Sequence, residues 1–155
     1  MNETNKLRLS FTINVAQKEL KHLEYSNAQV FPDLFTVEKA VLLDSDEVLA
    51  EKVEAFTSRF CRYQDTLGEK LIPLWVSALG EKPKAYIDNL NLAEKLGVLP
   101  SVEQWMIARE LRNQMVHEYI EDPLILSAAL QKAHESVAFL RETMLAIMAD
   151  LEGRV

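Results

Sequence analysis

The chain has 155 residues, enough for one domain, residues 1–155, that buries its own core. Apolar residues make up 48% and charged residues 26%, the profile of a globular protein and not of a disordered one. The formal charge of −7 argues against a broad nucleic-acid-binding surface, which needs clustered Lys and Arg, but leaves room for a small basic pocket.

In chain order, the opening stretch MNETNKLRLSFTINV lacks the basic region and continuous apolar run of a signal peptide. A first helix is predicted from about Lys6 to Gln29, with Phe11, Val15, Leu20 and Leu23 at helical spacing. Pro32 breaks it, because the residue before a proline disfavours helix. A second helix is predicted near DSDEVLAEKVEAF. Asp44 or Ser45 suits its N-cap, and Asp46 and Glu47 suit the positive end of its dipole. Val48, Val53, Phe56, Phe60, Leu67 and Leu71 carry the apolar pattern onward. Pro73 is expected to kink this helix or end its first part, and Gly80 to stop it.

A short third helix covers YIDNLNLAEKLG and ends at Gly97. Ser101, with Gln104 three residues later, forms a capping-box pattern that opens the fourth. Asp122 as N-cap and Pro123 at the first helical position open a fifth, running to about Leu151. Strand-like alternation is missing from the sequence, as is any internal repeat. The fold class is therefore all-α, an up-and-down bundle of four or five helices. No apolar stretch approaches the roughly 20 residues of a membrane span. Cys61 is the one cysteine, so no intrachain disulfide forms, which fits a reducing, cytoplasmic setting.

The fourth helix carries RNQMVHEY, residues 112 to 119. At about 100° per residue, Val102, Trp105, Met106, Val116 and Ile120 fall within roughly 60° of Arg109. Ala108, Leu111 and Met115 fall on nearly the opposite side. Two apolar faces suggest a helix packed on both sides, central in the bundle or shared with a second subunit. Polar residues interrupt both faces. Asn113 and His117 are neighbours one turn apart, and Arg112 and Tyr119 project to a common side. Arg112 and His117 are roughly 140° apart around the helix. A structural reading assigns Arg109 to Glu103 or Glu110, Arg112 to a carboxylate on another helix, and Tyr119 to packing.

RNQMVHEY matches an Arg-x4-His-x-Tyr signature, and VEQWMIARELRNQMVHEYIEDP around it resembles the HEPN family, in particular its HepT-like toxin ribonucleases and nucleotidyltransferase substrate-binding members. The likeness is concentrated in residues 100–123. It implies a helical homodimer whose motif helices line a shared cleft, with RNA cleaved without metal or other cofactor. By that resemblance Arg112 and His117 are the catalytic pair. His117 moves protons at the ribose 2′-OH and the leaving oxygen, and Arg112 holds phosphate oxygens as charge builds. Asn113 is a supporting residue, with Arg109 and Glu110 as further helpers. Tyr119 is the implied site at which a minimal nucleotidyltransferase antitoxin attaches AMP. The alternative is a non-catalytic nucleotide- or substrate-binding partner of such a nucleotidyltransferase.

Other features read as structural. His22 and His134 are isolated, and no His/Cys/Asp/Glu spacing suggests zinc. Cys61, Trp75 and Trp105 read as packing residues, and DSDE and IEDP as caps and solvated faces. A glycine-rich phosphate loop is lacking.

Overall fold

A computed structural model describes residues 1–117 and 122–154, without the His117 side chain. All regular structure among them is helical: α1 (Glu3–Val30), α2 (Val37–Leu42), α3 (Glu47–Thr66), a π-helical turn (Leu67–Leu71), α4 (Ile72–Ala78), α5 (Tyr86–Lys95), α6 (Val102–His117) and α7 (Pro123–Glu152). The long helices α1 and α7 frame the bundle. α1 packs along α3, α6 lies on α7, and α3 reaches both α6 and α7.

Local chemistry sets most boundaries. Asn2 caps α1 by accepting the Asn5 N–H at 2.8 Å. Asp122 accepts the N–H groups of Leu124 and Ile125 at 3.0 and 3.3 Å, and Pro123 follows at the first turn of α7, as expected. Ser101 accepts the Gln104 N–H at 3.1 Å, which makes the expected half of a capping box. The other free amide at that end, Val102 N–H, goes to Glu94 of α5 at 2.6 Å. Gly80 and Gly97 end α4 and α5 with φ of 84° and 82°, in the left-handed region that Cβ-bearing residues avoid.

Three expectations change. The cap of α3 is Asp46, which accepts the Leu49 N–H at 3.0 Å, and not Asp44 or Ser45. α2 is a helix that the sequence pattern does not predict. It has only six residues, and its local support is Thr36 accepting the Lys39 N–H at 3.3 Å, so packing against α7 holds it. The seam of α1 runs through Leu9, Thr12, Ala16, Leu20, Leu23, Ser26 and Val30, which leaves Phe11 70% exposed. Pro73 stands where the long run changes type, from a π turn into α4. The preceding π turn has Ile72 N–H bonded five residues back to Leu67, and α4 continues from it with Pro73 in its first turn, where a missing N–H costs least.

The core gathers Phe56, Phe60, Tyr63, Leu67, Leu71, Trp75 and Trp105, all fully buried, with the inner faces of α1 and α7. Trp75 and Trp105 thus pack as expected. The Trp75 indole N–H donates to Asp150 Oδ2 at 2.8 Å, which ties α4 to the end of α7, and Arg154 Nε donates to the same oxygen at 2.7 Å. The Arg154 hydrogen bond holds the Asp150 carboxyl below its ordinary pKa; partial burial opposes this, and the Trp75 bond adds to it. A carboxyl with a depressed folded pKa stabilises the fold above its unfolded value, about 3.9, and loses that contribution as pH falls through the folded value. Asp150→Asn is therefore expected to lower thermal stability at pH 7 by about 1 kcal/mol. The difference from wild type should shrink in strong acid, as thermal scans across pH would show.

Candidate active-site region on the motif helix

The motif helix is pinned to the rest of the bundle around Trp105. Gln64 of α3 donates to the Trp105 carbonyl at 3.0 Å, and the Trp105 indole N–H donates to Tyr86 Oη at 2.7 Å. Both rings press on Gly68 in the π turn. A Cβ built there would lie 2.6 Å from Tyr86 Oη and 2.9 Å from Trp105 Cζ2. Only glycine lets the two rings come so close. A glycine inside a helical run is a sequence signal of close approach, but it does not say what approaches.

This docking fixes which side of α6 faces inward. Trp105, Ala108, Leu111 and Met115 are buried together. Trp105 thus belongs with the residues expected to lie opposite it, and α6 has one buried face within the chain. Of the other expected stripe, Met106 and Val116 remain 37% and 54% exposed, and Ile120 lies outside the described residues.

The polar residues divide into two groups. Arg112 reaches back to α3, where its Nη1 donates to Asp65 Oδ1 at 3.0 Å and Oδ2 at 2.8 Å. This is the carboxylate pairing that the structural reading required, supplied by a residue 47 positions upstream that sequence alone did not single out. Both bonds come from one nitrogen. The Nε and Nη2 groups carry no hydrogen bond among the described residues. Asp65 raises the Arg112 pKa, first through the hydrogen bond and then through its charge, and Glu69 in the π turn adds to the effect.

Arg109 pairs with neither Glu103 nor Glu110 among the described residues. Its guanidinium lies over the Tyr86 ring, 4.2 Å from the centroid, a cation–π contact. Burial pushes the Tyr86 phenol up, and the Trp105 hydrogen bond and Arg109 oppose it. Asn113 Nδ2 donates to Glu110 Oε1 at 3.3 Å, which links those two side chains. Arg109 and Arg112 therefore face α5 and α3, while Asn113 and Glu110 form a separate exposed pair. The expected helpers are not drawn into one cluster with Arg112. His117 ends α6; its side chain and Tyr119 lie outside the described residues.

Cys61, close to Arg112 and Asp65, is buried. Burial pushes its thiol up to about 11; Arg112 lowers it and Asp65 raises it. It is a thiol at neutral pH and not a nucleophile. Among the described residues no group of three or more His, Cys, Asp or Glu side chains is placed to hold a metal ion, and no helix is long and apolar enough to cross a membrane. Set against descriptions of protein families, against curated proteins and against solved structures, the chain matches none.

Filling the space at Gly68 tests the docking directly. Gly68→Ala is expected to cost about 1–3 kcal/mol through overpacking against Trp105 and Tyr86. Trp105 fluorescence should change along with the lowered melting temperature, whereas Gly80→Ala, with open space around it, should leave that fluorescence unaltered.

Proposed function

We propose that the chain is a cytoplasmic HEPN-type ribonuclease, the toxin of a toxin–antitoxin pair, which cleaves RNA without metal in a cleft between two copies of α6. The observation that supports this reading most is the state of Arg112. It is charged, half-exposed and oriented by Asp65, and among the described residues its Nε and Nη2 groups carry no hydrogen bond. A guanidinium held in this way suits two phosphate oxygens.

The reaction follows from the residue types. The 2′-OH of the substrate attacks the adjacent phosphorus while an imidazole, His117, takes its proton. The leaving 5′-oxygen then receives a proton, from the same imidazole or from the second copy's His117. Arg112 holds the non-bridging oxygens as negative charge accumulates. The nucleophile belongs to the RNA, so no protein nucleophile is needed. Tyr119 is proposed as the position where a minimal nucleotidyltransferase antitoxin adds AMP and closes the cleft.

A second reading has an observation of its own. The net charge of −7 disfavours polyanion binding and suits a nucleotide- or substrate-binding partner of a nucleotidyltransferase. RNA cleavage assays decide between the two. His117→Ala and Arg112→Ala should each lower cleavage by about 10²-fold or more while circular dichroism stays that of wild type. Asp65→Asn should lower it less, by about tenfold, because the guanidinium is then present but unoriented. Full cleavage by the His117→Ala protein would overturn the ribonuclease reading. Nucleotide binding with no RNA turnover in wild type would favour the partner subunit.

A further inference from the structure

A second concentration of charge lies on the α1 side of α3. Val15, Lys18, Glu19 and His22 of α1 face Arg59 and Arg62 of α3 across a groove of about 270 Å³. In a chain with seven more acidic than basic residues, this groove gathers three fixed cations around one carboxylate. None of Lys18, Arg59 and Arg62 lies within 4.0 Å of a carboxylate oxygen among the described residues. Two of them are nevertheless held in place. Arg59 Nη1 donates to the His22 carbonyl at 3.2 Å and to Ser26 Oγ at 2.7 Å, and Arg62 Nη2 donates to Ser58 Oγ at 3.3 Å. Each keeps further N–H groups for an incoming acceptor.

Glu19 has the opposite need. Its Oε1 is buried without a hydrogen-bond partner. A buried carboxylate oxygen lacking a donor is costly, and the Glu19 side chain also lines the groove, where its carboxylate adds an acceptor beside the three cations. A bare anion would satisfy the cations and be repelled by Glu19. A ligand that carries both an anionic group and a hydroxyl donor matches a lining of three cations and one carboxylate. The volume is just under the roughly 300–1,000 Å³ of drug-sized ligand sites, so the occupant is small.

We propose that this groove binds a small phosphate monoester on a hydroxyl-bearing skeleton of sugar-phosphate size, with Lys18, Arg59 and Arg62 on the phosphate and Glu19 accepting a hydroxyl. Arg59 and Asp65 point roughly 120° apart around α3, so the groove is distinct from the Arg112 region and the inference stands apart from the ribonuclease reading. The same chemistry occurs in a free sugar phosphate and at the 5′-phosphorylated end of an RNA.

Calorimetric titration of the full chain separates the outcomes. Ribose 5-phosphate is expected to bind, ribose not to bind, and inorganic phosphate to bind at least about tenfold more weakly than ribose 5-phosphate. Lys18→Glu and Arg62→Glu, both at exposed positions, should each weaken ribose 5-phosphate by about tenfold or more, and Arg112→Ala should not. If a reversal unfolds the chain by circular dichroism, Lys18→Met and Arg62→Gln remove the charge alone and should weaken binding in the same order. A short RNA that binds only when 5′-phosphorylated, and competes with ribose 5-phosphate, would identify the RNA end as a source; sugar phosphate binding without such competition would identify the free compound. The proposal is overturned if neither phosphorylated probe binds, if charge loss at Lys18 and Arg62 leaves affinity intact, or if Arg112→Ala abolishes binding.

Discussion

Trp105 and Tyr86 can meet over the π turn only because position 68 has no side chain. The orientation of the motif helix depends on that contact. The indole N–H is spent on Tyr86 Oη and the Trp105 carbonyl on Gln64, so two neighbouring elements hold one residue of α6. With Trp105 fixed inward, the 3.6-residue repeat sends Ala108, Leu111 and Met115 into the core and brings Arg109 and Arg112 to the edges facing α5 and α3. The Arg112–Asp65 pair is exposed and contributes little to stability, at most about 1 kcal/mol. Its consequence is orientation: a long, flexible side chain is given one direction at the surface.

Features governed by a few neighbouring residues were legible in the sequence. The caps at Ser101 and Asp122 and the stops at Gly80 and Gly97 follow from local hydrogen bonding and backbone sterics, and the structure has them. Features governed by distant partners were not. Phe11 has the right spacing for a core position, but α1 presents a neighbouring stripe to α3, and periodicity does not say which of two adjacent stripes is chosen. α2 is too short to reveal itself by repeat. Asp65 had no local signal at all, since its partner is 47 residues away. Helical spacing puts Trp105 within about 60° of Arg109, and the fold turns it to the buried side.

The net charge gave an incomplete guide for a related reason. It sums over the whole surface, whereas phosphate chemistry needs only a few oriented cations within reach of one another. The acidic residues of this chain are spread over helix starts and exposed faces. Three cations, Lys18, Arg59 and Arg62, line the α1–α3 groove, and among the described residues Arg112 is bonded to its carboxylate partner through Nη1 alone. On the readings proposed above, an acidic protein would meet phosphate through such local groups of cations and not through its overall charge.

The proposed pairing of two motif helices rests on a geometric constraint within α6. Arg112 and His117 are five residues apart, roughly 140° around the axis, so one helix does not direct both side chains at the same phosphate without a long reach. α6 also leaves Met106 and Val116 exposed on the side away from the core, beside Arg109 and Asn113. Both features have the same remedy. A second α6 laid against that face would cover the apolar positions and bring the Arg112 of one copy toward the His117 of the other. In that arrangement the apolar residues set the distance between the helices, Asp65 sets the direction of the guanidinium, and the imidazole and guanidinium of a working site come from different chains. The unequal spacing of the motif around its helix is then a requirement of the paired cleft.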